Sequence, residues 1–220
     1  MAKTILITGA NRGIGRELAA QAVARGDHVT GTARDPAAVS APPCRLVKAD
    51  VSDPESLAHL SEGVPLDLLI CNAGQYLARA GFEDPSQTPE AWSSVLMTNV
   101  AGILFTVRAV IGRLRAAPGA KVAVISSRMG STARSPGGSP LYRASKAAAT
   151  NLAANLASEL QEDGIAVGAY HPGWVRTDMG GGHADIGVDE SAAGLLKRFD
   201  TLSLETTGVF EDYAGKEIPF

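Results

Sequence analysis

The chain is poor in the residues that build disulfide frameworks and metal sites. It has two cysteines, Cys44 and Cys71, and four histidines among 220 residues. The cysteines lie far apart with no Cys-x-x-Cys spacing, so we expect reduced structural thiols. The histidines lack the His-Glu-x-x-His spacing, and the sequence therefore predicts no metal site.

The net charge is small, and long apolar runs are scarce. The net charge is −3 at pH 7, and scattered basic residues give no reason to expect binding to nucleic acid or to a membrane surface. The apolar run at the N-terminus is too short for a signal peptide, and no stretch approaches the roughly 20 apolar residues that cross a bilayer. We therefore expect a cytoplasmic, soluble protein.

The chain does have a large apolar fraction, distributed in short runs. Hydrophobic residues make up 45% of it, which suits the core of one globular domain spanning residues 1–220. Short, largely apolar runs are typical of strands buried on both faces of a parallel sheet. They lie near Thr4–Ile7, His28–Thr32, Arg45–Val47, Leu66–Cys71, Lys121–Ile125, Ile165–Ala169 and Gly208–Phe210.

Helical patterns separate these runs. Their alternation with strands predicts an α/β protein with right-handed crossovers and a doubly wound parallel sheet. In the fourth helix, Ser139 suits the N-cap, Pro140 the first turn and Gly164 the C-cap. The predicted helices cover Gly13–Arg25, Pro54–Ser61, Pro89–Ala116, Pro140–Asp163 and Asp189–Phe199.

A glycine-rich turn joins the first strand to the first helix. Glycines there let the backbone approach a pyrophosphate, and the helix N-terminus adds amide donors and a positive dipole. The spacing is Gly-x-x-x-Gly-x-Gly rather than the usual Gly-x-Gly-x-x-Gly. Its position between strand and helix predicts a dinucleotide site formed by Gly9, Asn11, Arg12, Gly13, Ile14 and Gly15.

The end of the second strand bears on which nicotinamide dinucleotide binds. Arg34, together with Arg12, could hold a 2′-phosphate bidentately, which favours NADP(H). Asp35 lies near the spacing of a carboxylate that binds the ribose hydroxyls, so NAD(H) stays open as the less favoured cofactor. Asp35 also precedes Pro36 and could instead cap the following helix.

Seven segments, in order, resemble the short-chain dehydrogenase/reductase family over nearly the whole chain. One of them departs from the family pattern, because Cys71 replaces the first residue of Asn-Asn-Ala-Gly. The resemblance is nearest to the carbonyl-reductase branch that includes Sniffer and the C-factor proteins. Besides the glycine turn, the segments are Asp50-Val51, Cys71-Asn-Ala-Gly74, Asn99-Val-Ala-Gly102, Ile125-Ser-Ser127, the pair Tyr142 and Lys146, and His171-Pro-Gly-Trp-Val-Arg-Thr177.

The resemblance implies a single-domain Rossmann fold of about seven strands in the order 3-2-1-4-5-6-7, with helices on both faces. We also expect a homodimer or homotetramer, although the residues themselves do not reveal the oligomeric state. The implied cofactor contacts beyond the glycine turn and Arg34 are Asp50, Val51, Asn72, Ala73, Gly74, Tyr142, Lys146, Pro172, Gly173, Val175 and Thr177.

Tyr142 and Lys146 are four residues apart and share one helix face. A nearby cation favours phenolate, so we expect Lys146 to lower the pKa of Tyr142 from its reference of about 10. Tyr142 would then donate a proton to a carbonyl oxygen while the reduced nicotinamide delivers hydride. The resemblance implies that Lys146 also binds the nicotinamide ribose and continues a proton relay.

Two further catalytic roles come with the resemblance. Ser127 would donate a hydrogen bond to the substrate oxygen. Ser126 is its alternative, because adjacent strand residues point to opposite faces. Asn99 would position a water molecule in the relay, or else act only as a polar cap, and Asn72 would brace the strand ends.

These residues predict an NADP(H)-dependent oxidoreductase acting on a small carbonyl or alcohol substrate. The alternative is an NADP(H)-binding sensing or signalling protein whose turnover is not its main role. An epimerase or dehydratase is disfavoured, because too few residues follow Thr177 for the larger substrate domain of those relatives. The glycines between Thr177 and Asp189 predict a short, flexible lid and a permissive pocket.

Overall fold

In the computed structural model, which describes residues 2–133 and 135–220, seven strands form one parallel sheet. The strand order is β3-β2-β1-β4-β5-β6-β7, and every pairing is parallel. This confirms the predicted doubly wound fold. The strands are β1 Thr4–Ile7, β2 His28–Ala33, β3 Arg45–Lys48, β4 Leu68–Cys71, β5 Lys121–Ile125, β6 Ala166–His171 and β7 Phe210–Asp212.

Within the part of the chain that the structure describes, five α-helices connect the strands, with short 3₁₀ turns between them. The 3₁₀ turns cover Pro36–Ala38, Glu55–Ser61 and Arg128–Gly130. A π-helical turn, Met97–Ala101, joins the second and third helices into one continuous rod. The helices are α1 Gly13–Ala24, α2 Pro89–Leu96, α3 Gly102–Arg115, α4 Pro140–Glu159 and α5 Val188–Thr201.

The helices cover both faces of the sheet, which explains why the strands are apolar throughout. Successive strand residues point to opposite faces. Leu69 therefore packs in a cluster with residues of α3 and α4, whereas its neighbour Ile70 packs with residues of α1 and α5. Neither face of the central strands is left to solvent, so polar and apolar residues do not alternate along them.

Two end signals of α4 do not act as predicted. Ser139 occupies the N-cap position with a left-handed backbone (φ 47°), and its side chain makes no capping hydrogen bond. Such a cap normally has an extended backbone, so this conformation withholds the hydroxyl from the helix. Gly164 (φ 74°) lies in the turn that leads to β6, because α4 already ends at Glu159.

The continuous rod Pro89–Arg115 is long and apolar enough to cross a membrane, judged by length and composition alone. This corrects the expectation that no stretch approaches that length. The sequence predicts this helix as Pro89–Ala116, but Thr98, Asn99 and Arg108 interrupt its apolar runs, so its apolar character over that length is not obvious. Part of its apolar surface belongs to the core, where four side chains of α3 are buried: Ile103, Val107, Val110 and Leu114.

Candidate active site

A cavity of about 600 Å³ lies at the carboxyl ends of the parallel strands. The chain leaves β1 to one side for β2 and later to the other side for β4, and ligands of such sheets bind where the order reverses. Almost all the predicted cofactor residues line it: Gly9, Asn11, Arg12, Gly13, Ile14, Gly15, Arg34, Asp50, Val51, Asn72, Ala73, Gly74, Tyr142, Lys146, Pro172 and Thr177.

Gly173 and Val175 do not line this cavity. The side chain of Val175 is buried and its backbone pairs with Ile186. A Cβ on Gly173 (φ 90°) would meet Ile186 and would lie 3.1 Å from the ring of Tyr213. The glycine is thus required by packing of the following loop, and a cofactor contact through the Val175 backbone stays a prediction.

Several residues that line the cavity were not predicted from the sequence. Arg16 could have been found, because it lies one helical turn after Arg12 on α1. The further lining residues are Thr32, Ala38, Val39, Ser40, Ala49, Gln75, Thr98, Ile125 and Met179.

Asn72 ties the glycine turn to the end of β4. Its amide nitrogen Nδ2 donates to the carbonyls of Thr8 and Gly9, both at 3.0 Å. The backbone amides of Asn72 and Ala73 donate to the Thr8 hydroxyl, also at 3.0 Å. Asn72 therefore braces the strand ends, and the turn keeps its shape before any ligand arrives.

Gly15→Ala is expected to weaken NADPH binding at least tenfold and to lower the free energy of unfolding by about 2 kcal/mol. A Cβ there would collide with Gly9 O and Asn72 Nδ2, so the turn must open. Calorimetry and urea unfolding measure both effects. Gly112→Ala is the control, because a Cβ there has open space on α3. Its NADPH binding should equal that of the wild type, and its free energy of unfolding should rise by up to about 1 kcal/mol. Equal binding by the Gly15→Ala variant would contradict this account of the turn.

Arg34 and Asp50 line the cavity beyond the glycine turn. Burial alone would raise the pKa of Asp50, but hydrogen bonds from the Ser52 hydroxyl and amide and the charge of Arg34 outweigh it and hold that pKa below its ordinary value. Asp35 lines the cavity as well, and its carboxylate makes no capping hydrogen bond. The capping interpretation of Asp35 is therefore wrong.

Arg12 pairs across the mouth of the cavity with Asp178, at 3.2 Å. Both side chains are well exposed, 60% and 81% respectively. Exposed pairs of this kind contribute about 0–1 kcal/mol, so a phosphate can compete for the guanidinium of Arg12 with little opposition.

The glycine-rich loop after β6 is folded onto itself, whereas its glycine content predicts a flexible lid. The indole nitrogen of Trp174 donates to Gly180 O at 2.8 Å. One guanidinium nitrogen of Arg176 donates to the carbonyls of Ala184 and Asp185, both at 3.0 Å. The Thr177 hydroxyl accepts from the Gly180 amide. These bonds close the loop beside the cavity.

Tyr142 and Lys146 meet at the inner end of the cavity, at the carboxyl end of β5. The Lys146 ammonium lies 5.7 Å from the centroid of the Tyr142 ring and donates to Ile125 O at 2.8 Å. Lys146 is only 5% exposed, and burial lowers its pKa to about 8.

The pKa of Tyr142 is raised in this structure, not lowered as predicted. Burial is the main cause, and neighbouring Tyr76 adds to it, while a hydrogen bond with Ser127 opposes both. Burial of the phenol outweighs the effect expected of Lys146, whose ammonium lies over the ring and is held by the Ile125 carbonyl. In the free protein Tyr142 is therefore a protonated phenol at neutral pH.

Ser127, rather than Ser126, has its hydroxyl next to Tyr142. Ser126, and not Ser127, lines the cavity, but the Ser126 hydroxyl bonds Thr150 Oγ1 at 2.6 Å and Lys146 O at 3.2 Å inside the protein. The Ser127 hydroxyl accepts from the Met129 amide at 3.1 Å. That bond leaves its own proton available for another acceptor.

Asn99 lies in the π-helical turn, a feature that is frequent at functional sites. Its Oδ1 accepts from the Gln75 amide at 2.8 Å, and its Nδ2 donates to Gln75 O at 2.9 Å and to Ser145 Oγ at 3.0 Å. These bonds use both amide protons. The side chain therefore connects the loop after β4 to α4. It does not cap a helix end, which was the alternative left open by the sequence.

A parallel sheet with a glycine turn after its first strand, facing a cavity at its reversal point, defines a Rossmann-type dinucleotide-binding protein. A model of the family described as short chain dehydrogenase matches residues 3–185. The chain belongs to this oxidoreductase family.

Similar proteins support the carbonyl-reductase branch. C-signal of Myxococcus xanthus is 36% identical over 157 residues, which cover 71% of this chain and 93% of that protein. The NADPH-bound carbonyl reductase from chicken fatty liver superimposes with a TM-score of 0.89 at 34% identity, over 100% of this chain and 99% of the other. The carbonyl reductase Sniffer of D. melanogaster gives a TM-score of 0.89 at 25% identity, over 100% of both chains.

Proposed function

We propose that the protein is an NADP(H)-dependent carbonyl reductase that transfers hydride between nicotinamide and a carbonyl or alcohol substrate. The observation that carries this proposal is that Tyr142 and Lys146 line the cavity that begins at the glycine turn, with the Ser127 hydroxyl beside Tyr142. The chicken and Burkholderia multivorans relatives, described as bound to NADPH and NADP, support the choice of cofactor.

The cavity fits a dinucleotide. A Cβ on Gly9 would lie 3.0 Å from Ala73 Cα, so a glycine is needed for the turn to pack against the segment after β4 and keep its shape. The turn would hold the pyrophosphate and Arg34 a 2′-phosphate. When bound, the nicotinamide supplies or accepts the hydride.

The protein's own groups would handle the proton. In reduction, Ser127 donates a hydrogen bond to the carbonyl oxygen, and Tyr142 transfers its phenol proton as negative charge develops on that oxygen. The raised pKa of Tyr142 keeps this proton in place beforehand. Lys146, mainly cationic below pH 8, stabilises the phenolate that forms. Since both amide protons of the Asn99 side chain are donated to protein groups, a relay water would contact this side chain as a donor to Oδ1.

Arg34→Ser tests the choice of cofactor. A charge-assisted bond to a phosphate contributes about 2 kcal/mol, so the Kd of NADPH should rise about 30-fold while that of NADH stays within twofold. Calorimetric titration of both cofactors measures this. Arg115→Ser, at an exposed arginine on α3 paired with Asp163, should change neither Kd. If the wild type bound NADH as tightly as NADPH, and Asp35→Ala weakened only NADH, the preference would be for NAD(H).

The alternative function is dinucleotide sensing or signalling, which the similarity to C-signal favours. In that case a Tyr142→Phe variant would keep the biological role, and a Gly13→Asp variant, with a blocked turn, would lose it. Loss of the role in both variants favours the reductase.

We further propose one cytoplasmic catalytic domain, residues 1–220, that acts as a homodimer or homotetramer. Light scattering coupled to size exclusion measures the assembly. A monomer at micromolar concentration would contradict it.

A further inference from the structure

We propose that Tyr76 is a positioning residue for Tyr142 and holds the acid's ring in its catalytic orientation. The inference rests on the proposed function, because it concerns how the proton donor is held. The two rings stack with centroids 4.3 Å apart and planes inclined by 31°. Offset or tilted pairs at this distance attract each other beyond the effect of their buried area.

Tyr76 is itself fixed at its hydroxyl end. Its oxygen lies 2.8 Å from Ser139 Oγ, which donates to Arg79 O at 2.6 Å. A serine hydroxyl has one proton. Since Ser139 gives that proton to Arg79, Tyr76 must donate to Ser139. This bond explains why Ser139 does not cap α4 although it occupies the N-cap position.

The surroundings of Tyr76 also join the loop after β4 to the start of α4. The guanidinium carbon of Arg79 lies 4.8 Å from the centroid of the Tyr76 ring. The Ser139 amide donates to Ala80 O at 3.0 Å. The loop after β4 is therefore fastened to the residue that starts α4, one turn before Tyr142.

Electrostatics agree with this role. Burial is the larger cause of the raised pKa of Tyr142, and Tyr76 adds to it. The ring of Tyr76 also limits how Tyr142 can rotate. Neither effect requires Tyr76 to contact the substrate.

Two variants distinguish the effect of the Tyr76 ring on kcat from the effect of its hydroxyl. Tyr76→Leu removes the stack and should lower kcat about tenfold, the order of an aromatic pair's contribution, with KM within twofold. Tyr76→Phe keeps the stack and should lower kcat about threefold. In a Ser139→Ala background the Phe substitution should have no further effect, because the hydroxyl acts through Ser139.

A second measurement needs no substrate. In protein labelled with ¹³C-tyrosine, the Tyr142 signal, assigned with Tyr142→Phe, should titrate at lower pH in Tyr76→Leu than in the wild type. The control is Tyr170→Phe, which removes a phenol oxygen buried in the core beside Phe199; kcat and the Tyr142 titration should not change.

The outcomes are distinct. Unchanged kcat and titration in Tyr76→Leu, or a rise in KM alone, would overturn the positioning role. A shifted titration in a protein that reduces no carbonyl would support it and refute the proposed function instead. If Tyr76→Leu does not fold, the Tyr76→Phe and Ser139→Ala cycle decides by the same readouts: additive effects would overturn the role, and non-additive effects would support it.

Discussion

Replacing Tyr142 by Phe is expected to lower kcat for carbonyl reduction about 10³-fold, within the range that general acids contribute. The substitution removes one oxygen and keeps the ring that stacks on Tyr76. Since the glycine turn and Arg34 are untouched, the Kd of NADPH should stay within threefold. The loss would therefore be confined to the chemical step.

Stopped-flow oxidation of NADPH with saturating carbonyl measures the effect on the chemical step. Tyr170→Phe, the same chemical change at a buried tyrosine in β6, should retain full activity. More than a tenth of the wild-type rate in Tyr142→Phe would show that another group donates the proton.

Lys146→Met should abolish most activity and yet stabilise the fold. Burial lowers the pKa of Lys146 to about 8 from its ordinary value of 10.5. This difference corresponds to about 3 kcal/mol of lost stability wherever both states carry the proton. Methionine removes that penalty but also the bond to Ile125 O, worth about 1 kcal/mol. The net gain expected near pH 7 is about 2 kcal/mol.

The pH dependence of this gain has a definite sign. Between pH 8 and 10.5 the unfolded state binds the Lys146 proton more tightly than the folded state, so this group makes the wild type more stable as pH rises. The advantage of Lys146→Met should therefore be full below pH 8 and disappear toward pH 10.5. Urea unfolding of both proteins at pH 7 and 10 measures it. A wild type more stable than the variant at pH 7 would mean that Lys146 is not desolvated as described.

The sequence predicts the fold well, because the signals are local. Each central strand is a short apolar run buried on both faces, as Leu69 and Ile70 illustrate, and a helix follows nearly every one. The glycine turn is predicted by its local spacing between β1 and α1, although Gly9 and Gly15 also contact Asn72 and Ala73, which follow β4. The family resemblance supplies the strand order.

Features that depend on distant contacts are not predictable in this way. Spacing on a helix brings Lys146 near Tyr142, but the carbonyl that binds its ammonium comes from β5, and burial then raises the pKa of Tyr142. Ser139 has the chemistry of a cap and instead bonds Tyr76, whose position depends on the loop after β4. Such partners become visible only when the sheet and helices are assembled.

The central claim is hydride transfer to a carbonyl with Tyr142 as the acid. The most direct measurement supplies NADPH carrying deuterium at the transferred position and a panel of ketones, aldehydes and quinones, and follows the products by mass spectrometry. The wild type should form at least one alcohol that contains a single deuterium, and Tyr142→Phe should form almost none in the same time. Tight NADPH binding without deuterium in any product would contradict the account and leave a dinucleotide sensor as the better description.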